Sequence, residues 1–402
     1  MNKDIGKPNV YSGMKILHHE ERFRQWLQYE FEMDKTGESD NMIYPIMVEM
    51  HLNTRACNHN CFLEDIRGCG GNWPIKNTQW TRQEGLNFLN QLKTAEVKSI
   101  PFSGGGEPMF HPNFDEFLSE ASTFADVGLI THGGRIDSFS RAKSIVEKAT
   151  WVRVSIGGAT EETYRGRHGI GRTEVQNCWR GLEYLIQARK EVIKEREFIG
   201  MPESVCTIGV GFLTNSQVSH EIYPLTGIVR EIGADYLSVR PDHYSTDDSS
   251  FLIEKARSDF QNQSFSVFAP YMKFNNMGEQ IKKINPLIEV PYKDHFSTVA
   301  GGDGEGNLDC FNVNREQGDY GNFIKDSFET VWRSQVRVKK LKSFLKDPRT
   351  HYRSHYDITS KYLTDFRQAY LVTNSEAERE DLVQSWILNR DQNVKHVNFI
   401  NN

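Results

Sequence analysis

The chain has 402 residues, of which 38% are hydrophobic and 25% charged, a balance that excludes a disordered or fibrous protein and gives enough length for two units. A net charge of -6, from 54 acidic against 48 basic residues with no long Lys/Arg run, leaves no electrostatic footprint for nucleic acid or an anionic membrane. No run approaches the ~18 apolar residues of a membrane span and no apolar signal segment opens the sequence, so a cytoplasmic protein is expected.

Residues 1–42 read as a helical lead-in, with Phe23, Trp26, Leu27 and Phe31 at helical spacing in HHEERFRQWLQYEFEMD. From residue 43 onward, Val- and Ile-rich runs alternate with amphipathic patterns. Strands are expected near 45–52, 97–102, 127–131, 151–156, 205–213 and 235–240, with helices near 81–95, 113–125, 138–148, 173–196 and 217–232. Strand followed by helix, about six times over, predicts an α/β fold with a parallel sheet and crossover helices. The sheet is either an open doubly wound layer or a partly closed barrel, and in both a ligand sits at the C-terminal ends of the strands.

The segments after those strands are small and polar: CNHNCFLEDIRGC (57–69), SGGGEP (103–108), THGGR, SIGGAT and RPDHY. Beyond residue 260 the alternation stops. Residues 299–323 read as turns around short strands, with helices near 326–334, 336–346 and 357–370, so the core unit is assigned to 43–260 and a smaller α+β unit to 261–402.

Of six cysteines, three crowd into 57–69, while Cys178, Cys206 and Cys310 are scattered. In a reducing compartment that crowding favours metal or redox use over disulfides. Thiolates on one loop after a strand are what iron–sulfur clusters and structural zinc require. For zinc, Cys57, His59, Cys61 and Cys69 would supply four ligands. In SGGGEP the carboxylate of Glu107 stands beside three glycines, a pattern suited to holding an ammonium group and not a phosphate. Cys178 reads as buried helix core and inert, and His351 and His355, four apart beside Tyr352 and Tyr356, as a polar surface pair.

Taken together, VEMHLNTRACNHNC, SIPFSGGGEPMFHP, LITHGG, WVRVSIGGATEETYRGRHG and GADYLSVRP, in this order over about residues 43–242, resemble the radical S-adenosylmethionine (SAM) superfamily. The resemblance implies a partial (β/α)6 parallel barrel, in which a C-x-x-x-C-x-x-C loop holds a [4Fe-4S] cluster and the methionyl end of S-adenosyl-L-methionine chelates the open iron. Carried over by position, Cys57 and Cys61 match the first two iron ligands, and Gly104, Gly105, Gly106 and Glu107 the segment that receives the SAM amino group. Ser155 matches a position that contacts the ribose or carboxylate of SAM, and Arg240 one that approaches the carboxylate.

The chain departs from the pattern at three positions. Glu64 stands where the third cysteine belongs, Gly157 replaces an Asp, and His132 replaces the Asn of the usual TNG. A carboxylate is a harder ligand for a soft cluster than a thiolate. The third ligand is therefore Glu64, or Cys69 folding back, or no cluster binds. GEGNLDCFNVNREQGDYGNFIKDSFETVWRS resembles the SPASM or twitch extension in a degenerate form, with Cys310 alone of its cysteines and with Thr350 and Ser354 where a cysteine pair would stand. The resemblance implies an enzyme that cleaves SAM reductively to a 5'-deoxyadenosyl radical, which abstracts hydrogen from a small-molecule or peptide substrate. It also implies an external flavodoxin- or ferredoxin-like electron donor. The rival expectation is a catalytically silent binding or scaffold protein that keeps the barrel without the cluster.

Overall fold

The computed structural model describes residues 14–39, 41, 43–63, 66–67, 78–200, 205–242, 249–269, 288, 290–308, 319–346 and 358–400. Helix α1 (Glu20–Thr36) leads into β1 (Met47–His51), after which the cysteine loop contains a short hairpin of β2 (Phe62–Leu63) and β3 (Ile66–Arg67). Helix and strand then alternate through α2 (Arg82–Thr94), β4 (Ser99–Ser103), α3 (Phe114–Ala121), β5 (Asp126–Thr131), α4 (Phe139–Lys148) and β6 (Trp151–Ser155). Two helices, α5 (Glu161–His168) and α6 (Arg172–Phe198), precede β7 (Thr207–Thr214), and the alternation continues with α7 (Ile222–Ile232), β8 (Tyr236–Pro241), α8 (Ser250–Phe260) and β9 (Ser266–Phe268). The remaining elements are β10 (Ser297–Ala300), β11 (Glu305–Asn307), β12 (Asp319–Asn322), α9 (Phe328–Trp332), α10 (Gln335–Ser343), α11 (Ile358–Val372) and α12 (Glu376–Leu388).

The chain forms two compact units. One gathers the described residues of Met1–Glu49, Asn87–Ile100 and Leu287–Asn402, the other those of Met50–Leu86 and Pro101–Pro286. In the second, which takes β5 to β9 whole and the C-terminal ends of β1 and β4, the strands lie in the order β1-β4-β5-β6-β7-β8-β9, and every pair from β5 to β9 is parallel. This is the α/β, partial-barrel architecture expected. Ile208, Val210 and Phe212 of β7, alternate residues on one face of the strand, are all buried. Helix α7 turns Ile222, Leu225 and Val229 inward and is stopped by Gly233, whose φ of 99° suits a residue without a side chain.

Three features of this unit lie beyond the expected set. The strand–helix alternation runs on past residue 260 through α8 and β9, a strand of only three residues. The cysteine loop carries a hairpin. Helix α5 is inserted before α6, and it has no apolar stripe to reveal it, since Tyr164 is its one buried residue. Its ends define it instead: Thr160 accepts from the Thr163 N–H at 3.3 Å, and Gly169 takes the left-handed φ of 56°.

In the first unit β10, β11 and β12 form an antiparallel meander, with Val299 opposite Asn307 and Gly306 opposite Gly321. Helix α1 buries Phe23, Trp26 and Leu27, and the Phe23 ring meets Phe366 and Trp386 edge-on at 5.4 and 6.1 Å. Trp332 donates its indole N–H to the Ile43 carbonyl at 2.7 Å, and the Arg337 guanidinium lies 3.4 Å from the centre of its ring. Among the described residues no helix is long and apolar enough to cross a membrane.

Candidate cofactor and metal site

The site is built in the second unit from segments that leave β1, β4, β5 and β6 at their C-terminal ends. After β4 the chain must pass close to the backbone that follows β1, and this requires glycine. A Cβ on Gly105 would lie 2.4 Å from the Thr54 carbonyl oxygen, and one on Gly106 would lie 2.2 Å from Asn53 Oδ1 and 2.4 Å from the Ala56 carbonyl oxygen. The Glu107 N–H donates to the Ala56 carbonyl at 2.8 Å and Asn53 Nδ2 to the Glu107 carbonyl at 3.0 Å, so the glycine loop is bonded to the residues just before Cys57.

Glu107 itself is 3% exposed. Its Oε1 accepts from the Thr131 hydroxyl at 2.7 Å and the Met109 N–H at 3.2 Å, and its Oε2 from the His132 N–H at 2.9 Å. The carboxylate thus joins the glycine loop to the end of β5. The side chain expected to face an amino group is engaged by three protein donors, and the loop's backbone carbonyls are what remain for a ligand.

Cys57 and Cys61 are half-buried on the loop after β1, and the Cys57 sulfur accepts from the His59 N–H at 3.3 Å. His59, between them, is buried, and one donor atom each of His59, Cys61 and His168 lie within 4.8 Å of one another. The His59 ring stacks on that of His132, with centroids 4.0 Å apart and planes 18° from parallel. Its Nδ1 lies 3.3 Å from His168 Nδ1, which in turn lies 3.3 Å from the Cys61 sulfur. Its Nε2 lies 3.5 Å from Glu174 Oε1 and 3.7 Å from the Cys178 sulfur. Burial first, then His132 and His168, pushes His59 down to about 2, and burial, Arg167 and His132 push His168 to about 3. Both rings are neutral at ordinary pH. Burial pushes the Cys178 thiol up to about 12.

Two of the three departures noted in the sequence meet here. His132 is the stacking partner of His59. A Cβ on Gly157 would lie 2.3 Å from His168 Cδ2, so the absence of a side chain at 157 is what lets the His168 ring in. Gly134 makes similar room, since its Cβ would lie 2.3 Å from Glu174 Oε1.

Ser155 ends β6 opposite Gly211 and gives its carbonyl to the Tyr164 hydroxyl at 3.1 Å; Arg240, near the end of β8, is opposite Leu213. They stand two and four strands from β4, about 10 and 19 Å along the sheet at a spacing of ~4.8 Å. Glu64 and Cys69 lie outside the described residues, as do Cys310, Thr350, His351, Ser354 and His355. The donors for a [4Fe-4S] cluster on the described part of the loop are two thiols, a fit for two of its irons.

His132, His168, Glu174 and Cys178 were not expected at a site. One signal was available: Glu174 and Cys178 are four apart in a helical run, which puts both on one face. That His59 and His132 meet that face depends on strand order, which sequence spacing does not carry.

No protein-family model matches the sequence, and neither does any curated protein. The fold does match solved structures. Streptococcus suis SuiB bound to S-adenosylmethionine is similar over 80% of this chain and 71% of its own, at 12% identity and a TM-score of 0.55. SuiB bound to precursor peptide SuiA gives 78% and 69% at the same identity and score. Native anSMEcpe with bound AdoMet covers 85% of this chain and 100% of its own at 14% identity, with a TM-score of 0.52. At such identities the likeness is one of fold, shared with proteins solved with S-adenosylmethionine or AdoMet bound.

Proposed function

We propose that the protein is a radical SAM enzyme that binds S-adenosyl-L-methionine at the C-terminal ends of β1, β4, β5 and β6. The observation that carries this reading is the docking of the Gly104–Glu107 loop onto residues 53–56, which joins the glycine loop to the segment that bears Cys57 and Cys61. Cys57 and Cys61 would hold two irons of a [4Fe-4S] cluster, with Glu64 or Cys69 at the third. When bound, such a cluster supplies the electron that splits SAM into methionine and a 5'-deoxyadenosyl radical. The backbone carbonyls of Gly104–Gly106 orient the SAM amino group, while Glu107 fixes the loop that presents them. Ser155 and Arg240 contribute contacts to the ribose and carboxylate.

SuiB bound to its precursor peptide makes a peptide the first substrate class to test, beside a small molecule. Residues 261–402 would be a degenerate SPASM-like extension, and a flavodoxin- or ferredoxin-like protein the electron donor.

Anaerobic reconstitution with iron and sulfide tests the reading. A brown protein with [4Fe-4S] stoichiometry that releases 5'-deoxyadenosine from SAM after reduction is the expected result. A colourless protein that binds SAM without cleaving it selects the rival, a silent binding or scaffold protein, which the missing thiol at position 64 favours. Glu64→Cys is expected to raise iron retention, and unchanged iron content would exclude Glu64 from the ligand set.

A further inference from the structure

We propose that His59, His132, Glu174 and Cys178 form a structural site for one divalent metal ion of the zinc class, separate from the Cys57 and Cys61 thiols. One donor atom from each lies within 4.8 Å of the others. His59 Nε2 is 3.5 Å from Glu174 Oε1 and 3.7 Å from the Cys178 sulfur; His132 Nδ1 is 3.9 Å from each of the same two atoms. A tetrahedral zinc with bonds of ~2.0–2.1 Å to nitrogen and oxygen and ~2.3 Å to sulfur spaces its ligand atoms about 3.3–3.6 Å apart. These four distances are therefore within a few tenths of an ångström to about 0.6 Å of that spacing, and closing on an ion also requires the stacked His59 and His132 rings, now 4.0 Å apart, to spread so that both lone pairs meet it.

Other observations agree. Glu174 Oε1 is buried and has no hydrogen-bond partner, an expensive arrangement for an acceptor unless something else occupies it. Gly134 keeps that oxygen's place open. The donor set of two imidazoles, one thiolate and one carboxylate is of the kind zinc takes, and the two negative ligands balance a divalent charge. Ligation fixes His59 as the tautomer that donates its Nδ1–H to His168 Nδ1, the outer hydrogen bond that metal-bound histidines commonly make. At His132 the metal takes the lone pair that otherwise accepts from the Gly134 N–H at 3.0 Å. As the metal–sulfur bond forms, the Cys178 proton passes to solvent.

Four protein ligands leave no open position, so the ion holds structure and does not activate water. It ties the loop after β1, the end of β5 and the first turns of α6 into one body, and so fixes the loop that carries Cys57 and Cys61.

The inference uses none of the cluster thiols, so its test stands apart from the cluster. Full-length protein is stripped with a chelator and titrated anaerobically with Co(II) alone. One cobalt per chain is expected, with a thiolate charge-transfer band and the strong visible bands of four-coordinate cobalt. Cys178→Ser removes the charge-transfer band. Glu174→Gln, at a half-buried position in the first turn of α6, serves if Cys178→Ser does not fold, and lowers cobalt affinity by at least the roughly 10–100-fold that loss of an outer-shell partner costs. The Cys57→Ser/Cys61→Ser double variant keeps both spectrum and affinity. The proposal is overturned if wild type binds no cobalt or binds it in six-coordinate form. It is equally overturned if the thiolate band survives Cys178→Ser, if Glu174→Gln binds as tightly as wild type, or if the band disappears in the double variant.

Discussion

Glu107→Gln separates a carboxylate that organises the glycine loop from one that itself binds a ligand. Glutamine preserves the shape and replaces one acceptor oxygen by an NH2 group. With its oxygen at the Oε1 position it keeps Thr131 and Met109, and turns its own donor toward the His132 N–H that Oε2 now accepts at 2.9 Å. Flipped, it serves His132 and leaves the Met109 N–H without an acceptor, while the Thr131 hydroxyl can rotate. Either way one buried N–H is stranded, at a cost of about 1–3 kcal/mol. At roughly 2–4 °C per kcal/mol for a unit of this size, a loss of ~2 kcal/mol lowers the melting temperature by about 4–8 °C. Thermal unfolding of wild type and variant, beside calorimetric titration with SAM, measures both effects. Stability and SAM affinity are expected to fall together. An unchanged melting temperature with lost SAM affinity would refute the reasoning and assign the carboxylate to the ligand.

Two glycines of the second unit are predicted to behave in opposite ways. Gly106→Ala drives a Cβ to within 2.4 Å of the Ala56 carbonyl oxygen, and the resulting shift of the cysteine loop costs about 1–3 kcal/mol, read as a lower melting temperature. Gly166→Ala, in α5 with nothing within 4 Å of the new Cβ, is expected to stabilise by about 0.5–1 kcal/mol, and a loss of stability there would contradict the helix. In the first unit Lys15 is 1% exposed, donates to the Phe399 carbonyl at 2.9 Å, and is pushed by burial from 10.5 down to about 7. Because its folded pKa is depressed, the unfolded chain binds the extra proton between pH 7 and 10.5. Its contribution to stability is full above that window and falls by about 1.4 kcal/mol per pH unit as pH drops through it, the loss being complete once pH has passed the folded value of about 7. Denaturant unfolding from pH 7 to 9 should show this rise, and Lys15→Met should flatten it.

The alternation of Val- and Ile-rich runs with amphipathic stretches was enough to place the six strands from β1 to β8 that build the parallel sheet, because strands buried on both faces and helices buried on one leave different periods in the chain. Strand ends followed by glycine and cysteine were likewise legible, and the structure brings the glycine run against the residues just before Cys57. Helix α5 and strand β9 were not: one is defined by its caps and lacks an apolar stripe, and the other is too short to show a period. The glycine run after β4 could be read as a turn, but its reason is the approach of Thr54 and Ala56, residues some fifty positions earlier in the chain. Glu107 reads equally well as a ligand or a brace, and only its three donors assign it. Of the four, the sequence marks His59 as a candidate zinc ligand beside the cysteines and His132 as a departure from TNG, while Glu174 carries no mark and Cys178 reads as an ordinary core residue. Their convergence depends on β1 and β5 ending on the same side of one parallel sheet, with α6 returning its first turns to that side. Tertiary structure decides that, because coordination is set by distance between donor atoms and these four come from segments that the chain itself keeps far apart.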